Sequence, residues 1–95
     1  MERIRRALRR SARDPIPVIL FSRPGCHLCE DARVLLQRIA APGEVIIEEV
    51  DITTDPALVR AYDLLIPVIR MAETELSAPI READLRRALT AARRN

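Results

Sequence analysis

Apolar residues fall in two different rhythms along this chain, and each change of rhythm marks an element. Val18–Phe21 ("VILF") is an unbroken run of β-branched and aromatic character, the pattern of a strand buried inside a sheet. From Leu28 the spacing lengthens: Leu28, Ala32, Leu35, Leu36 and Ile39 recur at helical intervals, and Ala41–Gly43 ("APG") stops the helix. Glu44–Asp51 ("EVIIEEVD") reads as a second strand. It ends in "TTDP", where a Thr or Asp cap and Pro56 at the first helical position start another helix with Leu58, Tyr62 and Leu65 on its apolar side. Ile66–Ala72 predicts a third strand, opened by Pro67 where a strand tolerates proline, and a tight hairpin leads to a short fourth strand, Thr74–Ser77. Ile80, Leu85, Ala88, Leu89 and Ala92 mark a terminal amphipathic helix.

The resulting order is β-α-β-α-β-β-α over residues 14–95, an α/β domain whose first β-α-β unit favours a parallel pair with a right-handed crossover. Residues 1–13 place Ile4 and Leu8 four apart, which predicts a short basic helical extension. Like charges at Arg5/Arg9 and Arg6/Arg10 weaken it, and "DPIP" (Asp14–Pro17) ends it.

Composition narrows the picture. Ninety-five residues, 48% of them apolar, suffice for one domain with one thin core. That core must be aliphatic, because Phe21 and Tyr62 are the only aromatic residues. The net charge of +2 conceals a layout of +5 over residues 1–13, −6 over 14–80 and +3 over 81–95. Arginine on solvated helix faces accounts for the basic ends. With stacking aromatics lacking, no specific nucleic-acid partner is expected. No stretch is long and apolar enough to span a membrane, and no apolar run follows the arginine-rich start as a secretory signal requires, so a cytoplasmic protein is expected.

Chemistry concentrates in "SRPGCHLCEDA", Ser22–Ala32, which holds both cysteines of the chain. In a reducing compartment a close cysteine pair reads as redox-active or metal-binding before it reads as structural. Pro24 and Gly25 end the first strand, so Cys26 falls at the helix start and Cys29 one turn on. Unpaired N–H groups and the positive end of the helix dipole favour a thiolate at such a position, and they bring cysteine pKa values from about 8.5 down to roughly 3.5–7.5. Cys26 is thus the expected nucleophile and Cys29 the resolving thiol. Arg23 and protonated His27 favour the thiolate, whereas Glu30 and Asp31 oppose it. His27 is the expected tuning residue. Two other readings stay open: a metal or cluster site shared between two chains, and an inert pair. A closed tetrahedral site within one chain is short of ligands, since His27 is the only histidine and no third cysteine exists, so no metal is expected.

With these residues in hand, the chain resembles the glutaredoxin-like branch of the thioredoxin superfamily from about Val18 to Leu89. "VILFSRPGCHLCEDA" is similar to that family's first strand and active-site loop, and "LLIPVI" to the proline that precedes its third strand. The resemblance implies a thioredoxin-like fold, a four-stranded mixed sheet flanked by helices, with an extra helix at the N-terminus of this chain. It implies thiol-disulfide oxidoreductase activity, with a non-catalytic interaction or metal-handling module on the same fold as the alternative. It also implies that Pro67 is cis and lies against the sulfur of Cys26, and that Ile66 and Pro67 hold the substrate, the backbone of Ile66 pairing with a bound peptide or thiol as an added strand. Arg23 matches the basic residue that glutathione-using members carry before the active site. The Gly-Gly turn those members place before the last helix is replaced here by "SAPIREAD" (Ser77–Asp84), where Ala78 and Pro79 lack glycine's freedom. That departure speaks against glutathione as a ligand, and no permanently bound cofactor is expected. The expected partners are a disulfide-containing protein or small thiol and a thiol reductant system, acting on a monomer.

Overall fold

Along the first strand, β1 (Ile16–Ser22), the pleat sends Ile16, Val18 and Leu20 into one cluster of apolar side chains and Ile19 and Phe21 into another. A strand buried on both faces needs cover on both, and the rest of the chain supplies it unequally. In the computed structural model, which describes residues 14–94, β1 is followed by helix α1 (His27–Ile39), strand β2 (Val45–Asp51) and a 3-10 turn (Ile52–Thr54). Helix α2 (Pro56–Tyr62), strands β3 (Val68–Met71) and β4 (Thr74–Ser77) and helix α3 (Glu82–Arg93) complete it. The helix expected over residues 1–13 lies outside the described residues.

The strands form one mixed sheet in the order β2-β1-β3-β4, with β1 parallel to β2 and the remaining pairs antiparallel. On one face α1 and α3 lie side by side. Ala32 and Leu36 from α1 and Leu85 and Leu89 from α3 close over Val18, Leu20, Ile69 and Met71. Each large aliphatic side chain buried there stabilises the fold by about 1.5–3 kcal/mol. The other face carries a smaller cluster of Phe21, Ile52 and Val68, covered by half-buried Leu58 and Tyr62 of α2. The Phe21 and Tyr62 rings stack at 4.4 Å. The Arg70 guanidinium lies over Phe21 at 5.2 Å and donates to the Tyr62 hydroxyl at 2.6 Å.

Several boundaries differ from the sequence reading for identifiable reasons. β1 runs beyond Val18–Phe21 because its parallel pairing with β2 extends from Ile16↔Val45 to Ser22↔Asp51, and Pro17 falls outside the stretch that pairs with β3. β3 starts at Val68, not Ile66, because Pro67 has no N–H and the Ile66 N–H donates to the Tyr62 carbonyl at 3.1 Å. Leu28 belongs to the groove beside the site and not to the core; it is 63% exposed, and the buried residues of α1 are Cys29, Ala32 and Leu36. Leu65 lies beyond the end of α2. Asp55 and Pro56 start α2 as expected, with the Asp55 carboxylate accepting from the Ala57 N–H at 2.9 Å. The β3–β4 hairpin turns at Ala72, which has a φ of 50°.

Candidate active site

The carboxyl ends of the parallel strands β1 and β2 and the N-terminus of α1 meet at one edge of the sheet, the position where open α/β sheets place their ligands. Arg23, Pro24 and Gly25 carry the chain from β1 into α1, and Gly25 takes the left-handed φ of 76° that the bend requires. Cys26 is the N-cap of α1. Its Sγ accepts the Cys29 N–H at 3.2 Å, in the place where a serine or aspartate oxygen commonly caps, and its carbonyl accepts the Glu30 N–H at 3.1 Å. The spacing that lets Cys26 cap the Cys29 N–H also brings the two sulfurs together: Cys26 and Cys29 form a disulfide with a Cα–Cα distance of 5.3 Å. Cys26 is partly exposed and Cys29 only 2% exposed, so a partner molecule meets Cys26 first.

A cleft of about 370 Å³ opens along the pair, and Arg23, Cys26, His27 and Cys29 all line it. Sequence reading missed its far wall, made by Ser22, Glu49 and Asp51. Ser22 is buried, and its hydroxyl donates to the Glu49 carboxylate at 2.7 Å; the other Glu49 oxygen stands 3.5 Å from Arg33 Nε. Arg33 also pairs with Glu30 at 2.7 Å. The Asp51 carboxyl is held below the usual aspartate range by hydrogen bonds from the Thr53 hydroxyl and Thr53 N–H. The signal that would have found this wall is the parallel register, which sets Glu49 against Leu20 and Asp51 against Ser22. Arg23 is engaged as well, in an ion pair with Asp63 at 2.6 Å just past the end of α2.

Ile66 and Pro67 do not line this cleft, so the structure does not set Pro67 with the cysteines there. The Ile66–Pro67 peptide is cis, as the resemblance implies, and so is Ala78–Pro79, which nothing in the pattern anticipated. The Ile66 side chain packs on the Phe21 cluster. Pro67 is buried and lines an apolar groove of about 470 Å³ with Leu28, Leu35, Pro79 and Ile80. The structure therefore gathers the cysteines, Arg23 and His27 in one cleft and places Pro67 in the neighbouring groove. Among the described residues, no three His, Cys, Asp or Glu side chains converge as a metal site, and no helix is long and apolar enough to cross a membrane.

The fold has a counterpart among solved structures. The X-ray structure of Northeast Structural Genomics target protein XcR50 from X. campestris is similar at a TM-score of 0.64 and 37% sequence identity, covering 79% of this chain and 97% of that one. No curated protein matches the chain. A family profile described as glutaredoxin-like domain (DUF836) matches residues 17–90, from the first residues of β1 through most of α3, and so takes in the disulfide and both cis prolines. The architecture, the placement of the cysteine pair and the extent of that match agree: the chain belongs to the glutaredoxin-like domain family.

Proposed function

We propose that the protein is a thiol-disulfide oxidoreductase that reduces or exchanges disulfides through Cys26 and Cys29. The observation that carries this reading is the asymmetry of the pair: the partly exposed sulfur caps a helix, and the buried one lies within bonding distance of it. In the reduced protein the Cys26 thiolate attacks one sulfur of a substrate disulfide and expels the other as a thiolate, which takes up a proton. Cys29 then gives up its proton and attacks Cys26, which releases the second substrate thiol and leaves the Cys26–Cys29 disulfide. Two electrons and two protons pass to the substrate, and a thiol reductant restores the pair. A protein disulfide fits the site better than glutathione does, because Asp63 already neutralises Arg23 and Ala78–Pro79 replaces the glycine turn.

The decisive variant is Cys29→Ser. Without the resolving thiol the reaction halts at a mixed disulfide on Cys26, which mass spectrometry detects after incubation with a disulfide-bonded protein and, separately, with oxidised glutathione. The protein adduct is expected to accumulate and the wild type to retain none. No adduct with either partner overturns the redox reading, and a fast, stable glutathione adduct overturns the preference for protein.

A further inference from the structure

Around the Cys26–Cys29 disulfide, acids outnumber the arginines that face them. Among the described residues lining the cleft, Arg23 is the one arginine, and Glu30, Glu49 and Asp51 share that lining with it. Arg33 stands 2.7 Å from Glu30 and 3.5 Å from Glu49, whereas the hydrogen bonds at Asp51 come from neutral groups, the Thr53 N–H and hydroxyl. Arg23 carries the charge that would balance this wall, and an acid from outside the cleft takes it: its guanidinium lies 2.6 Å from the Asp63 carboxylate. The place of Asp63 does not depend on that bond. It is the C-cap of α2, where its N–H donates to the Val59 carbonyl at 2.9 Å, so the end of the helix delivers the carboxylate to Arg23. The two side chains are 42% and 39% exposed, which leaves the pair open to an incoming molecule.

We propose that Asp63 is a specificity-determining residue: by neutralising Arg23 it lets the acidic wall set the potential at Cys26, so that the site accepts disulfides with neutral or cationic surroundings and refuses anionic ones. The proposal rests on the redox reading above and narrows its substrate class. In the exchange step negative charge passes from Cys26 onto the sulfurs of the substrate. A carboxylate carried beside the reacting sulfur then adds its repulsion from Glu49 and Asp51, with Arg23 already paired. Released from Asp63, the Arg23 guanidinium would attract that same carboxylate.

The test compares reagents of different charge at one thiol. In the Cys29→Ser variant Cys26 is alkylated by neutral iodoacetamide or by anionic iodoacetate, and neither reaction needs redox activity. Asp63→Asn should lower the iodoacetamide/iodoacetate rate ratio by about three- to tenfold. Arg23→Gln added to it should restore the ratio, and Arg23→Gln alone, which leaves the Asp63 charge bare, should raise it above the starting value. If Asp63 served the fold alone, both rates would change alike; an unmoved ratio overturns the proposal, as does a lowered one that Arg23→Gln does not restore. The substrate class is read with three small disulfides of similar size on reduced protein with both cysteines. Cationic cystamine should react faster than neutral hydroxyethyl disulfide, and that faster than anionic dithiodiglycolate, with Asp63→Asn raising the last relative to the neutral one. Rates indifferent to charge overturn the exclusion of anions and leave the redox reading intact. Should none of the three be reduced, the redox reading fails, and the alkylation ratio alone decides for or against Asp63.

Discussion

At Cys26 the chemistry comes from one backbone bond and from the cancellation of the charges around it. The Cys29 N–H points at Cys26 Sγ at the positive end of α1. The side chains that would alter this balance are largely spoken for: Arg23 is paired with Asp63, and Glu30 with Arg33. What remains is the helix terminus, which favours a negative sulfur. Cys29 has no such position and is buried, which disfavours its charged form. In the reduced protein the Cys26 thiol should therefore titrate below the ordinary cysteine value and Cys29 above it, read from thiolate absorbance in Cys29→Ser and Cys26→Ser respectively. Equal titrations, or a more acidic Cys29, would contradict the roles given to them. The Cys26 position was legible in the sequence because Pro24–Gly25 break the chain just before it, a purely local signal. The Ser22–Glu49 bond spans 27 residues and depends on register, so no local pattern could show it.

Elements are tied across the sheet by a few charged groups, of which Glu44 is the most enclosed. Just before β2, its carboxylate accepts the Ala41 N–H at 2.7 Å and an ion-paired bond from Arg93 at the end of α3. The Arg93 guanidinium, followed by the Ala41 N–H, holds the Glu44 carboxyl below its ordinary value of 4.5. A carboxyl whose pKa is lower folded than unfolded adds stability that is fully present above the unfolded value and is lost as pH falls through the folded one. Glu44→Gln should thus destabilise the protein by about 1–2 kcal/mol near neutral pH, with the partly exposed Arg93 keeping the effect small. The difference from wild type should vanish in acid well below the glutamate range, as urea unfolding at the two pH values would show. A gap that persisted in acid would mean that Glu44 acts through packing alone. At this scale the sequence was most readable where signals are local: the cap at Asp55–Pro56, the stop at Ala41–Gly43 and the face of α3. It was least readable at Leu28, where helical spacing alone cannot distinguish a core position from the wall of a groove.

Across the whole molecule, the two faces of the sheet are covered to different depths, and this should set the order in which parts of it open. α1 and α3 send Ala32, Leu36, Leu85, Ala88, Leu89 and Ala92 into the larger core, whereas α2 contributes no buried residue and covers the other face through half-buried Leu58 and Tyr62. Segments with little buried apolar surface open locally at a free energy well below that of global unfolding. Hydrogen exchange should therefore find the amides of α2 at low protection, while the central pair β1–β3 and the inner turns of α1 and α3 exchange only with global unfolding. The consequence for function runs through Asp63 and Tyr62 at the end of α2. Asp63 holds Arg23 beside Cys26, and the Tyr62 carbonyl takes the Ile66 N–H next to Pro67. Opening of α2 would free the Arg23 guanidinium and the Ile66 N–H together, so that a charge and a backbone donor reach the substrate side of the site without disturbing the Cys26 cap. Asp63→Asn, which removes the ion pair but leaves the core untouched, should raise exchange in α2 and around Ile66 and leave α1 unchanged. Protection in α2 equal to that of α1 would instead show that the molecule opens as a single unit and that the site is fixed by the fold.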